Sequence, residues 1–212
     1  MEKKEKYSFL QLALTILNVS CLLISNVIVF KEMTIGPFTM TGAMITFPIT
    51  YILSDVFSEV YGYKWSRITC YFAFAMNLLM VLVFQLGIAL PASATFAGQE
   101  ALETVLGNTP RILLGSLTAF IAGDFANDIV FEKMRLKAVK HNGFSIRAIL
   151  SSVAGAIVDT SIFYPIALGG VMDISTMIII GLSEIPLKIL YEIIILPITN
   201  YVMKTVAEYE GE

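Results

Sequence analysis

The chain is predicted to be an all-α integral membrane protein, a six-transmembrane-helix bundle with both termini cytoplasmic. Three observations predict this. Hydrophobic residues make up 57% of the 212 residues and the mean hydropathy is +0.78. The apolar residues gather into runs of about 20, the length needed to cross about 30 Å of hydrocarbon at 1.5 Å per residue. Lysine and arginine are concentrated between alternate runs, as the positive-inside rule requires. No polar block has the pattern of a separate soluble domain, so residues 1–212 are expected to form a single domain in a cell (inner) membrane, crossing it several times.

Met1 to Lys6 is short and charged, and the run after it is longer than a signal-peptide core and lacks a cleavage site. It is expected to stay as the first span, Ser8 to Phe30. The Lys31 to Met40 segment places Gly36 beside Pro37, a turn signal, and reads as an outward lid loop. The second span is drawn over Thr41 to Tyr61 and the third over Arg67 to Leu90, with Lys64 and Arg67 between them. Pro91 to Pro110 holds Leu102, Val105 and Leu106 at helical spacing beside Glu100 and Glu103, which predicts a short helix on the membrane surface. The fourth span is Arg111 to Phe131. A basic inner loop follows with Lys133, Arg135, Lys137, Lys140 and Arg147, and the single histidine, His141, reads there as a solvated turn residue. Ser145 to Leu168 and Ser175 to Met203 complete the set. Pro186 and Pro197 each remove a backbone hydrogen bond, so the last span is expected to be bent or broken.

Eight ionisable residues lie inside these spans: Asp55, Glu59, Asp124, Asp128, Asp159, Glu184, Lys188 and Glu192. Each costs roughly 2.5–3.5 kcal/mol at the centre of a bilayer, so such residues ordinarily face a polar cavity and serve a solute or proton pathway. Asp55 and Glu59 are four apart, as are Asp124 and Asp128, while Glu184, Lys188 and Glu192 extend the step over three positions. Residues at i and i+4 share a helix face, so three helices carry a polar stripe. Asp159 adds a fourth helix, and Asn18, Asn26, Asn77 and Gln85 add neutral polar groups. A water-accessible pocket at the centre of the bundle is the simplest arrangement. Lys188 is able to neutralise Glu184 or Glu192, yet seven acids against one base leave several carboxyls to be protonated, hydrated or ligand-facing. That excess favours a solute with donors or positive charge. Phe47, Tyr51, Phe57, Phe125, Phe163, Tyr164 and Tyr191 lie near the charges; most read as packing or lipid-facing, and one or two as a stacking slot for a planar heterocycle. A carboxylate accepts two parallel N–H bonds from an amidine-like edge of such a ring.

Other chemistries are not expected. The net charge of −3 comes with no basic stripe for nucleic acid. Cys21 and Cys70 sit in apolar runs as small hydrophobes, without a disulfide framework, a metal site or a cofactor. His141 alone in a loop supplies no catalytic constellation. Ala122-Gly123-Asp124 echoes an intramembrane aspartyl protease element, but Ile121 replaces its first glycine and no Tyr-Asp partner occurs, so no enzyme is expected.

The run Phe47-Pro-Ile-Thr-Tyr-Ile-Leu-Ser-Asp-Val-Phe-Ser-Glu-Val-Tyr-Gly62 resembles the signature of the queuosine precursor transporter family, also called vitamin uptake transporters. Gly115 to Asp124 with Asp128 and Phe131 resembles its fourth-helix segment, and Asp159-Thr-Ser-Ile-Phe163 its Asp-Thr-x-Ile-Phe element. Lys188, Glu192 and Pro197 resemble its sixth-helix pattern. Phe47 stands where tyrosine is common, and Phe57-Ser58 where smaller aliphatic or Asn residues are usual. The resemblance implies import of 7-deazaguanine bases, such as 7-cyano-7-deazaguanine or 7-aminomethyl-7-deazaguanine, for queuosine salvage. A proton-coupled secondary transporter (symport) is the expected type. The expected substrate-binding residues are Asn26, Phe47, Tyr51, Asp55, Asp124, Asp159, Phe163 and Glu184. A polar network or proton-coupling role is expected for Glu59, Asp128, Lys188 and Glu192. The partners expected are a small heterocyclic substrate, the lipid bilayer and, as a further candidate, a second copy in a homodimer. The competing reading is the substrate-binding subunit of an energy-coupling-factor importer, although the first helix lacks a clear small-residue docking face.

Overall fold

The computed structural model describes residues 8–137 and 144–210; the expectations for Met1 to Lys6 and for His141 lie outside the described residues. Helix α1 (Phe9–Ile28) opens on a reciprocal cap in which Gln11 N–H donates to Ser8 Oγ at 2.9 Å and Ser8 N–H to Gln11 Oε1 at 3.4 Å. The segment expected to be a lid loop is instead a β-hairpin, β1 (Glu32–Ile35) and β2 (Phe38–Thr41), paired antiparallel from Ile35↔Phe38 to Glu32↔Thr41. Gly36, with φ +60°, supplies the left-handed first position of its two-residue turn, and threonine and isoleucine favour the extended strands.

This hairpin delays the next helix. Thr41, expected to begin the second span, is held in β2; a 3-10 turn (Gly42–Ile45) follows, and α2 (Phe47–Glu59) starts where Pro48 occupies the first turn. After a two-residue joint α3 (Gly62–Ala89) begins on Gly62 at φ +81°. Lys64, expected between spans, is therefore helical. Helix α4 (Gln99–Leu106) forms where a short helix was expected. It is tied to α3 by Gln85 Nε2 donating to Leu106 O at 3.3 Å and Gln99 Nε2 to Ile88 O at 3.2 Å. Helices α5 (Thr109–Lys137), α6 (Phe144–Leu168) and α7 (Ile174–Glu210) complete the chain. The last of these is not broken. It runs unbroken through Pro186 and Pro197 and past the expected end at Met203.

Four helical stretches among the described residues are long and apolar enough to cross a bilayer: Phe9–Ile28, Lys64–Ala89, Gln99–Asn127 and Leu150–Leu168. Helix α2, at 13 residues, is about 20 Å long, short of the hydrocarbon thickness. Helix α7 has ample length but carries Glu184, Lys188 and Glu192 close together. Large apolar side chains face outward along α3, where Leu79, Leu82 and Leu86 are more than half exposed, a surface suited to lipid.

The closest helix pairing is α5 against α6. A β-carbon at Gly115 would lie 3.1 Å from Ala167 Cβ, one at Gly123 would lie 3.1 Å from Asp159 Cβ, and one at Gly155 would lie 3.0 Å from Gly123 O. Small residues at four-residue spacing let the two backbones touch, which is how helices associate where no hydrophobic drive separates helix from lipid. Above this seam Val29, Ala43, Ile112, Tyr164, Leu168 and Ile180 pack into one buried cluster that joins the ends of α1 and α6 to the starts of α5 and α7. Arg111 closes the end of α6 by donating to Ile166 O at 3.1 Å and to Gly169 O. At the opposite end Ser8 Oγ and Tyr61 Oη (2.9 Å) both donate to Glu210 Oε1, bringing the start of α1 beside the end of α7.

Asp173 caps α7. Its carboxylate accepts the Ser175 hydroxyl, the Thr176 hydroxyl at 2.7 Å and the Thr176 N–H at 3.0 Å, and these donors lower its pKa from 3.8 to about 2. A depressed pKa contributes stability above the unfolded value that is lost as pH falls. The detergent-solubilised protein is thus expected to lose one increment of thermal stability between pH 3.8 and about 2, and Asp173→Asn to lack that increment. In the seam, Gly123→Leu or Gly155→Leu is expected to destabilise by about 1–3 kcal/mol or more, read as a fall in melting temperature; the same change at Gly87, which has open space around it, is expected to leave stability near that of the unaltered chain.

Candidate functional site: a carboxylate wall beside a cavity

Three of the predicted charges meet across helices α6 and α7. Glu184 is 3% exposed, and its Oε1 accepts both the backbone N–H and the hydroxyl of Thr41, each at 2.8 Å. The Tyr164 phenol, buried on α6, lies beside the same carboxylate. Described partners of Glu184 are therefore uncharged donors, each hydrogen bond to a charged group being worth about 1.5–3 kcal/mol. One turn further along α7, Lys188 Nζ lies 3.3 Å from Asp159 Oδ2 and 3.3 Å from Thr160 Oγ1 on α6. The i, i+4 spacing suggested a pairing within α7, and the ion pair with Asp159 crosses to the neighbouring helix.

Asp159 leads on to α5, because its Cβ faces Gly123, the residue before Asp124. Asp124 is paired with Arg67 of α3, Nη2 to Oδ2, at 2.9 Å. The two acids thus stand on touching helices, each beside a cation. Asn26 on α1 donates to Asn77 Oδ1 on α3 at 2.6 Å, and Asn77 donates in turn to Ala73 O at 3.0 Å. Phe163 stands edge-on to Tyr164 at 5.5 Å and packs against the buried cluster. Of the other predicted site residues, Phe47, Tyr51, Asp55 and Glu59 are on α2, Asp128 on α5 and Glu192 on α7; their side chains lie outside the described residues. Arg67 and Thr41 were not anticipated. A cation at the mouth of an otherwise apolar run was the available signal for Arg67, whereas nothing local marked Thr41.

A cavity of about 340 Å³ opens between α6 and α7. Its polar wall is Thr160, Ser161 and Tyr164; Pro165, Met177 and Leu182 contribute apolar surface. Thr160 accepts from Lys188 and Tyr164 lies beside Glu184, so the cavity and the carboxylates share a wall, although Glu184 and Asp159 themselves are not among its lining residues. The volume lies at the lower end of the roughly 300–1,000 Å³ of small-molecule sites. Among the described residues no three His, Cys, Asp or Glu side chains gather as a metal site.

An apolar helical bundle with ion pairs between its helices and a small cavity has the make-up of a multi-pass membrane protein. Residues 41–202 match the model of the family described as "Putative vitamin uptake transporter", and the chain belongs to that family, whose members move a solute instead of transforming it. It is similar to the "Probable queuosine precursor transporter" of Bacillus subtilis (strain 168), 29% identical over 175 residues that span 82% of this chain and 76% of the relative. No solved structure matches the chain.

The interhelical ion pair makes a specific prediction. Lys188→Met leaves Asp159 without its charge partner and is expected to destabilise by about 3 kcal/mol. Adding Asp159→Asn is expected to recover at least half of that loss, as measured by a double-mutant cycle of melting temperatures in detergent.

Proposed function

We propose that this chain imports queuosine precursors, 7-deazaguanine bases such as 7-cyano-7-deazaguanine or 7-aminomethyl-7-deazaguanine, as a proton-coupled secondary transporter of the cell (inner) membrane. The observation that carries this reading is the shared wall, where Thr160 and Tyr164 line the cavity of about 340 Å³ while Thr160 accepts from Lys188 and Tyr164 lies beside Glu184. A flat base with adjacent N–H donors is the kind of solute that a carboxylate beside aromatic rings selects. The relative's name supports the same substrate class.

In this reading Glu184 and Asp159 are ligand carboxylates, joined by Asn26, Phe47, Tyr51, Asp55, Asp124 and Phe163. Glu59, Asp128, Lys188 and Glu192 form the network that shapes the site and exchanges a proton, a common use of acids within membrane pathways. All 212 residues act as one domain, with six spans and both termini in the cytoplasm. The contact of Ser8 with Glu210 supports a common side for the two ends.

Uptake of labelled 7-cyano-7-deazaguanine into cells lacking their own transporter tests the proposal. The intact chain is expected to accumulate the base and to lose accumulation with a proton uncoupler. Glu184→Gln is expected to lower apparent affinity about 10- to 100-fold, the equivalent of one charge-assisted hydrogen bond. Uptake that needs an added ATPase module instead establishes the energy-coupling-factor reading.

A further inference from the structure

The partners of Glu184 point beyond binding to a coupling between the carboxylate and the β-hairpin. Thr41 is the last residue of β2 and is 1% exposed, and both of its donors, N–H and Oγ–H, reach one oxygen, Glu184 Oε1, at 2.8 Å. A carboxylate oxygen has two lone-pair sites, so Thr41 fills Oε1. A heterocycle edge with two parallel N–H groups binds a carboxylate across both oxygens. It therefore cannot engage Glu184 in this way while Thr41 stays in place.

Thr41 also ties the hairpin to α7 through these hydrogen bonds. It lies at the base of a two-stranded ribbon of eight residues plus a two-residue turn, and such a hairpin is marginally stable without something to pack on. Outer positions of that ribbon are open, with Ile35 at 63% and Phe38 at 37% exposure, whereas Met40 beside Thr41 is 8% exposed. The buried end of the hairpin is thus the end held by Glu184.

We propose that the Thr41–Glu184 contact is a latch, in which Thr41 occupies the carboxylate oxygen that a donor-bearing solute must take, so that solute binding releases the hairpin from α7. The inference rests on the reading of Glu184 as a ligand carboxylate. Thr41 is then a self-ligand that competes with substrate, and the hairpin is the gate that the exchange opens. Loss of the Thr41 hydroxyl weakens the competitor, and loss of the Glu184 charge weakens the latch itself.

The test uses the full chain in lipid nanodiscs, with Cys21 and Cys70 replaced by alanine and Met40→Cys as reporter, labelled by a polar maleimide. Without ligand, Thr41→Val and Glu184→Gln are expected to raise the labelling rate several-fold, whereas Thr41→Ser, which keeps the hydroxyl, holds it at the starting rate. Saturating 7-cyano-7-deazaguanine is expected to raise labelling of the reporter chain to the Thr41→Val level and to have no effect on Glu184→Gln. Thr41→Val is expected to bind the base about three- to tenfold more tightly. Bound base with unchanged labelling, or equal ligand-free labelling of the reporter chain and Thr41→Val, overturns the latch. Raised labelling in Thr41→Val and Glu184→Gln with no binding of the base by any form supports the latch and removes the deazaguanine substrate.

Discussion

A carboxylate inside an apolar bundle has to be met by donors, and the way Glu184 is met governs the arrangement around it. Its position near the start of a 37-residue helix brings α7 against both the β-hairpin and α6. Thr41 donates to it twice, and the Tyr164 phenol lies beside it. With these donors in place the hairpin, the 3-10 turn and the upper apolar cluster sit together, because Ala43 follows Thr41 by two residues and packs with Val29 and Ile180. Removing water from a charged group raises the cost of leaving it unpaired, so this constraint has more authority over the fold than any single apolar contact.

The remaining charges obey the same constraint by a different means. Asp159 and Asp124 are each held beside a cation, Lys188 and Arg67, from a neighbouring helix. Neither pair is a reliable source of net stability, since desolvation offsets much of the attraction. Their effect is to fix which helix faces which: α6 with α7, and α3 with α5. Between these pairs the α5–α6 seam of Gly115, Gly123 and Gly155 brings backbone to backbone, placing Asp159 against Gly123 and thereby next to Asp124. Packing by small residues and pairing by charged ones act on the same two helices, and the cavity is left on the side of α6 that the seam does not cover.

That division suits a carrier. A fully apolar interior offers a polar solute nothing, while a rigidly ion-paired one offers no free acceptor. Here Asp159 and Asp124 each stand beside a cation, and the donors that reach Glu184 among the described residues are uncharged. In the cavity wall Thr160 accepts from Lys188 and Tyr164 lies beside Glu184, so the wall borders the charge network.

The sequence by itself determined the class of the protein. Runs of apolar residues with charges at helical spacing require a membrane bundle with an inward polar surface, and those patterns depend only on local period and on the cost of hydrating charge in lipid. The short helix at Leu102 and Leu106 and the turn at Gly36 and Pro37 were legible for the same local reason. What only the tertiary structure decided is pairing. Lys188 has acids four residues away on its own helix, yet an acid on α6 lies within 3.3 Å; helix spacing ranks neighbours along one helix and is silent about those across it. Thr41 read as the first residue of a helix because its apolar neighbours continue into α2, and it became the end of a strand because Ile35 and Phe38 close a hairpin around Gly36. Pro186 and Pro197 predicted a bent or broken span, and α7 runs without a break through both. A proline removes one hydrogen bond, but whether the helix continues depends on what packs around it, and that is a property of the assembled bundle.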